Sequence, residues 1–334
     1  MAKRIKKITQ AEQFIRATTF IYPTRYPIAE RFDVLNHIGV SGGKDSTALL
    51  IWALRESDYP RDSIVASFSD TGNESSVTYR YIDYLEDALQ IGIIRVKPPK
   101  DFFELAKWKR RFPGAKARFC TQFLKIYPTA GLIRHLEARC KTLVLHSGVR
   151  AAESAARADL TPETFDPVFG HWVKRPLLTW SIGQIWDYHH AHGIKPNPLY
   201  AAGMSRVGCF PCIMSRKSEI RRIATLFPEA IDRIREEEKI SGGAANGNYS
   251  SFFPAKTVPV HQCSRTYVNC KGKTFRVATI DDVVRWSWTA RGGKHRELDL
   301  DGITKLSAEA FNWEELPRLE EKGRSCPAGI GLCE

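Results

Sequence analysis

Short apolar runs alternate with longer stretches of helical spacing through the first half of the chain. The runs lie at residues 34 to 40, 64 to 68 (Ile64-Val65-Ala66-Ser67-Phe68), 93 to 97 and 142 to 146 (Thr142-Leu143-Val144-Leu145-His146). Between them, residues 45 to 56, 75 to 90 and 122 to 138 have the pattern of helices. Continuous apolar strands separated by helices predict an α/β fold, a doubly wound parallel sheet covered on both faces, with any ligand beyond the carboxyl ends of its strands. Residues 9 to 20 predict a short amphipathic helix, followed by a proline-punctuated loop from Tyr22-Pro23 to Tyr26-Pro27. After the sheet, residues 217 to 239 read as a charged helical stretch, and Ser241-Gly242-Gly243-Ala244-Ala245-Asn246-Gly247-Asn248 as a flexible connector. This divides the chain into an N-terminal helical extension (1–33), a main α/β domain (34–240) and a smaller C-terminal appendage (250–334) that is basic and contains cysteines.

Composition narrows the class. A chain of 334 residues is long enough to bury a full core. Its formal net charge of +13 favours an anionic partner, nucleotide or nucleic acid. No apolar run reaches membrane-spanning length, and Met1-Ala2-Lys3-Arg4-Ile5-Lys6-Lys7 leads into no signal-like apolar stretch, so a cytoplasmic location and no membrane partner are expected. In that setting the eight cysteines point to thiols, metal or a cluster rather than disulfides.

The chemistry concentrates where the first apolar run meets the first helix. Val40-Ser41-Gly42-Gly43-Lys44-Asp45-Ser46-Thr47 joins them through glycines and hydroxyls. Glycines let backbone N–H groups approach an anion, a helix start presents unpaired donors and a positive dipole end, and Lys44, Ser41, Ser46 and Thr47 add charge and hydroxyls. The spacing is not that of the common G-x-x-x-x-G-K-[ST] loop. A plain strand-to-helix turn with a serine cap is the alternative.

Ser41 to Ser46 resembles the pyrophosphate-binding loop of the adenine-nucleotide alpha-hydrolase superfamily. Further segments resemble the phosphoadenosine-phosphosulfate (PAPS) reductase family within it: Ser69 to Glu74, Arg118 to Lys125, Gly148 to Ser154, and a run from Arg175 through Trp180-Ser181 and Asn197 to Gly208-Cys209-Phe210-Pro211-Cys212. The resemblance covers roughly residues 34 to 216 and implies ATP with Mg2+ as ligands. It implies that Ser41, Gly42, Gly43, Lys44, Asp45 and Ser46 hold pyrophosphate, that Arg150 and Lys125 put charge on the alpha phosphate, and that Asp70, Gly148 and Arg150 border the same crevice. Asp45 would orient the loop or reach the metal's water shell. The plainer alternatives are a surface salt bridge from Arg150 to Glu153, a solvated helix face for Lys125, and a dipole-stabilised helix start for Asp45.

Cys209 and Cys212 stand at metal-ligand spacing. The resemblance pairs them with Cys120 for an iron-sulfur cluster, 4Fe-4S in type, with Cys263 or Cys270 as a fourth ligand; zinc on Cys209, Cys212, Cys263 and Cys270 is the rival. Cys140, beside an apolar run, reads as a small core residue.

Family reductases have a degraded loop and a Glu-Cys-Gly-Leu-His motif, whereas here the loop is intact and the sequence closes Gly331-Leu332-Cys333-Glu334. The motifs are closer to the ATP pyrophosphatases of DNA phosphorothioate modification. The expected activity is thus ATP cleavage between the alpha and beta phosphates to adenylate an acceptor in sulfur metabolism, with a sulfur donor protein or thiol reductant and DNA or RNA as further partners. Residues 107 to 118, which interleave aromatics and cations, fit a nucleic acid or only the nucleotide's phosphates. The alternatives are an APS/PAPS reductase using Cys326 or Cys333, and a nucleotide- or DNA-binding module without turnover.

Overall fold

The computed structural model describes residues 10–241, 250–254, 257–269 and 271–289. The chain forms two compact units that interleave in sequence, one of residues 1–101, 121–199 and 206–208, the other of 102–120, 200–205 and 209–334.

The first unit is built on a seven-stranded sheet. Helix α1 (residues 10–16) precedes β1 (Thr19–Ile21), β2 (Phe32–Gly39), α2 (Lys44–Arg55), β3 (Ile64–Ser69), α3 (Ser76–Leu89) and β4 (Ile93–Lys97). The strand order is β1-β4-β3-β2-β5-β7-β6, with β5 at Cys140–His146, β6 at Glu163–Asp166 and β7 at His171–Lys174. The inner strands β4-β3-β2-β5-β7 run parallel, while β1 and β6 pair antiparallel at the two edges. The sheet is therefore mixed rather than wholly parallel. The helix expected over 9 to 20 stops at residue 16, and Thr19–Ile21 pair with Arg95 to Lys97 because β4 would otherwise leave its edge unpaired.

Strand alternation sorts the two faces. On one, Leu35, Val65, Ile94, Leu143 and Leu145 form a core with Leu132, Ile133 and Leu136 of α6 (Tyr127–Glu137). On the other, His146 meets Trp52 of α2, ring centroids 6.4 Å apart, and its Nε2 lies 3.2 Å from the Tyr59 hydroxyl. Both faces are thus covered, as the doubly wound pattern requires. The chain moves outward from β2 to β3 and β4, then returns to β5 on the other side of β2, and ligands bind at such a reversal.

The second unit holds α4 (Phe102–Lys109), α5 (Phe119–Thr121) up to Cys120, α9 (Lys217–Leu226), α10 (Pro228–Ser241), the hairpin β8 (Arg265–Val268) and β9 (Thr274–Val277), and α11 (Ile280–Ser287). The single charged helix expected over 217 to 239 is two helices, with Pro228 opening the second. Phe102, Phe103, Phe112 and Phe253 gather round the fully buried Phe252. Glu238 ties this unit together: one carboxylate oxygen accepts from Phe252 N–H and the other from Ile280 N–H, each at 2.9 Å. Of the connector, residues 242–249 lie outside the described residues, as does Arg291 to Arg296.

Burial pushes the Glu238 carboxyl up to about 7. The folded chain then keeps a proton that the unfolded chain releases above about 4.5, so stability falls as pH rises between those values. This group is expected to cost on the order of 3 kcal/mol across that window. Urea unfolding at a series of pH values should show a flatter profile in Glu238→Gln; an unchanged slope would refute the assignment.

Candidate functional site

The chain leaves β2 still paired, Val40 N–H donating to the Ser67 carbonyl at 2.7 Å, and turns into α2 within three residues. Gly42 makes the turn at φ +72°, where a Cβ would also stand 3.1 Å from Thr78 Cγ2. Outside glycine that conformation costs about 1–2 kcal/mol. Gly43 is the N-cap of α2 and brings no side chain to occupy the helix's first donors. The serines brace the loop: Ser46 Oγ donates to the Gly43 carbonyl at 3.0 Å, accepts from Ser41 N–H at 3.1 Å and lies 3.1 Å from Ser41 Oγ. Two loop carbonyls are held from within the fold. Asn197 Nδ2 donates to Gly42 O at 3.1 Å and His189 Nε2 to Lys44 O at 2.8 Å, the latter from α8 (Ile182–Ala191).

Beyond the ends of β2 and β3 lies a cavity of about 180 Å³ lined by Ser41, Ser46, His37, Ser67, Ser69, Glu74, Lys125 and Thr129. Its floor follows from alternation. Leu35, His37 and Gly39 share one face of β2, and Val65, Ser67 and Ser69 one face of β3, so each strand runs from apolar core to polar cavity along a single side. His37 Nε2 lies 2.8 Å from Ser67 Oγ, and burial with His146 nearby lowers its pKa to about 4, so the ring is neutral at ordinary pH. Glu74 accepts from Thr71 Oγ1 at 2.6 Å and Thr71 N–H at 3.1 Å; burial raises its pKa against the pull of Thr71 and the Lys125 charge. Lys125 projects from a π-helical turn, Gln122–Ile126, and lines the cavity while remaining exposed to solvent. His37, Ser67, Ser69 and Thr129 were not singled out from sequence. Polar residues two apart within apolar strands were the available signal.

The remaining expected residues support the loop. Arg150 Nε donates to Asp45 Oδ1 at 2.5 Å, and Lys44 Nζ stands 3.5 Å from Asp45 Oδ2. Arg150 is 4% exposed, so this is a buried pair and not the surface bridge to Glu153, which instead accepts from Arg150 N–H at 3.0 Å and from Arg157 of α7 (Ala155–Ala158). Gly148 permits the approach, since a Cβ there would fall 2.9 Å from the Asp45 carbonyl oxygen. Asp70 serves its own turn, accepting from Gly72 N–H at 3.0 Å and Tyr79 O–H at 2.6 Å, with Lys97 Nζ at 3.6 Å. It is Glu74, not Asp70, that lines the cavity.

Of the expected metal ligands, Cys120, Cys209, Cys212 and Cys263 lie among the described residues. Among the described residues no three His, Cys, Asp or Glu side chains are placed to hold a metal ion. Cys120, Cys209 and Cys212 are half-buried in the second unit. Cys263 is buried there with Sγ 3.6 Å from the Pro259 carbonyl, and burial, reinforced by Asp282, pushes its thiol up. Cys270 lies outside the described residues. Cys140 donates to the Leu136 carbonyl at 3.4 Å, a small residue at the head of β5. In the 107 to 118 segment, Lys107 pairs with Glu237 at 3.0 Å, Phe112 is buried and Lys109 Nζ sits 3.9 Å over the Trp108 ring.

A family model described as the phosphoadenosine phosphosulfate reductase domain matches residues 36–215, more than half of the chain. The chain belongs to that family. Its members include enzymes and bind adenine nucleotides. Among relatives of this family member, a 37.8 kDa protein of Escherichia phage 186 is 35% identical, covering 79% of this chain and 91% of that one. An adenosine 5'-phosphosulfate reductase of Anoxybacillus flavithermus is 28% identical over 46% of this chain and 63% of its own length. Among solved structures, the PAPS reductase of Candida auris in complex with phosphate is similar at TM-score 0.41, with 18% identity over 54% of this chain and 82% of that one. Among the described residues no helix of this PAPS reductase family member is long and apolar enough to cross a membrane.

Removing one partner of the buried pair strands the other. Asp45→Ala is expected to cost about 3–5 kcal/mol of stability in urea unfolding, and the double variant Asp45→Ala/Arg150→Met to recover part of it. A cost below about 1 kcal/mol would mean the pair behaves as a solvated surface bridge.

Proposed function

We propose that this protein binds ATP and cleaves it between the alpha and beta phosphates, adenylating an acceptor in sulfur metabolism, with a nucleic acid as the acceptor class. The observation that carries the reading is the intact Ser41 to Ser46 loop, glycine-turned, serine-braced and opening on the cavity through Ser41 and Ser46. A loop of this kind suits a pyrophosphate, which a sulfonucleotide lacks.

The roles follow from position. The start of α2, with Ser41 and Ser46, would receive the beta and gamma phosphates. Lys125, on the cavity wall, would draw charge from the alpha phosphate while the acceptor attacks phosphorus and the bond to the leaving pyrophosphate breaks. Asp45, already bridged by Arg150 and Lys44, orients the loop and does not suit a direct metal ligand, and Arg150 is accordingly a positioning residue. When bound with the nucleotide, magnesium supplies further neutralisation of the pyrophosphate. The neutral His37 and its partner Ser67 offer hydrogen bonds to an uncharged part of the ligand. A 4Fe-4S cluster on Cys120, Cys209 and Cys212, or zinc, is tested by metal and sulfide analysis of anaerobically prepared protein; no step of this reading depends on it.

ATP with magnesium is expected to bind more tightly than AMP by calorimetry, and Lys125→Ala to weaken ATP by about 1.5–3 kcal/mol. Equal affinity for both nucleotides would sink the reading.

The relatives that are adenosine 5'-phosphosulfate reductases favour a second reading, sulfite production from APS or PAPS through Cys326 or Cys333, both outside the described residues. Pyrophosphate release with candidate acceptors, set against sulfite release with thioredoxin, separates the two. Sulfite release that vanishes in Cys333→Ser would establish the second, and binding without either product a non-catalytic module.

A further inference from the structure

The β8–β9 hairpin is exposed over most of its length and carries charge of one sign. Residues 264–280 contain Arg265, Lys271, Lys273 and Arg276 and no Asp or Glu. The register sets Thr266 opposite Arg276 and Val268 opposite Thr274, and all four are exposed, with Val268 at 57%. On the other face Tyr267 pairs with Phe275, and Lys273 Nζ stands 5.4 Å over the Phe275 ring, so that ring is partly covered by a cation. Only at the base does the ribbon turn inward, at the buried Val277.

The tip is built to hold its lysines. Asn269 Oδ1 accepts from Lys271 N–H at 3.0 Å and Lys273 N–H at 2.9 Å, Asn269 N–H donates to the Lys273 carbonyl at 3.0 Å, and Gly272 takes φ +74°. The nearby acids do not offset them. Glu238 and Asp282 are buried and bonded to Phe252, Ile280, Ser264 and Thr279, and Asp281 pairs with Arg235 at 2.8 Å.

We infer that this ribbon is a binding surface for duplex DNA, its tip lysines and Arg276 contacting phosphates along the major groove. A two-stranded ribbon fits that groove, which is about 12 Å wide in B-form DNA, whereas the deep, narrow major groove of duplex RNA excludes it. Phe275, 40% exposed, is a single ring with the Lys273 ammonium over one face, whereas a single strand is held by a succession of open aromatic faces. Exposed Val268 and the threonine methyls give the ribbon an apolar side for base edges. The inference names the nucleic acid of the proposed reading, yet stands on the second unit alone.

The test uses the full chain and a short labelled DNA duplex of mixed sequence, read by fluorescence anisotropy over a series of salt concentrations, with ATP binding followed separately by calorimetry. Lys271→Glu/Lys273→Glu should weaken duplex binding on the order of tenfold or more, and the milder Lys271→Ala/Lys273→Ala should lower the salt slope by about 2, since each neutralised phosphate contributes about 0.9. ATP affinity should be unchanged in both, which also shows that they fold. Wild-type duplex affinity and slope in both variants would overturn the inference, as would a wild-type preference for single-stranded DNA or duplex RNA. Duplex binding that depends on the ribbon in a protein without affinity for ATP would uphold it while overturning the nucleotide reading.

Discussion

The buried pair between Arg150 and Asp45 is the contact on which the candidate site depends. It joins the segment after β5 to the first turn of α2, which are far apart in sequence and meet where the strand order reverses about β2. A guanidinium taken out of water is costly unless its partner is held at close range. Gly148 makes that possible by leaving room for the Asp45 backbone, and Lys44 balances the second carboxylate oxygen. The pair therefore fixes where α2 begins, and with it the direction of the helix's first donors. The loop's conformation follows from its anchors: Asn197 on Gly42, His189 on Lys44, and the Ser41 and Ser46 hydroxyls between.

The parallel core was legible because apolar runs such as Ile64 to Phe68 are buried on both faces and hold a single polar residue, Ser67, too little to disguise their length. The edges were not. β1 has only Thr19–Ile21, and β6 and its inner neighbour β7 have four residues each, too short for a period to declare itself, so their pairing follows from the strands they cover. The break at Pro228 was visible in sequence but merged into one charged stretch, because Lys, Arg and Glu keep helical character on either side of it.

Within the site, the Ser41 to Ser46 loop was readable from residue type because the glycine and hydroxyl requirements are local. Which charges face the ligand was not, since that depends on partners distant in sequence: Asp45, 105 residues from Arg150, and for Lys125 a cavity whose other walls come from β2 and β3. His37 was hidden for a related reason. A polar residue in an apolar strand reads as a flaw until the fold brings Ser67 within 2.8 Å of it and opens the cavity beyond. The cysteines drew attention through their spacing and the family resemblance, and among the described residues no three metal-binding side chains gather, while Cys270 lies outside those residues.

Charge is used differently in the two units, and this limits what the net +13 can mean. In the α/β unit the cations nearest the loop are largely committed, Arg150 and Lys44 to Asp45 and Lys97 to Asp70. Selectivity for an anion there must rest on directed donors at the start of α2, on the serine hydroxyls and on Lys125, groups that act at short range in a confined space. In the second unit the hairpin cations stand on an exposed ribbon whose acidic neighbours are buried or paired. Such charges act through solvent, weaken with salt, and suit a long polyanion that can meet several of them together. A short nucleotide gains little from the ribbon, and a duplex cannot enter a cavity of about 180 Å³, so each anion has a surface suited to its size.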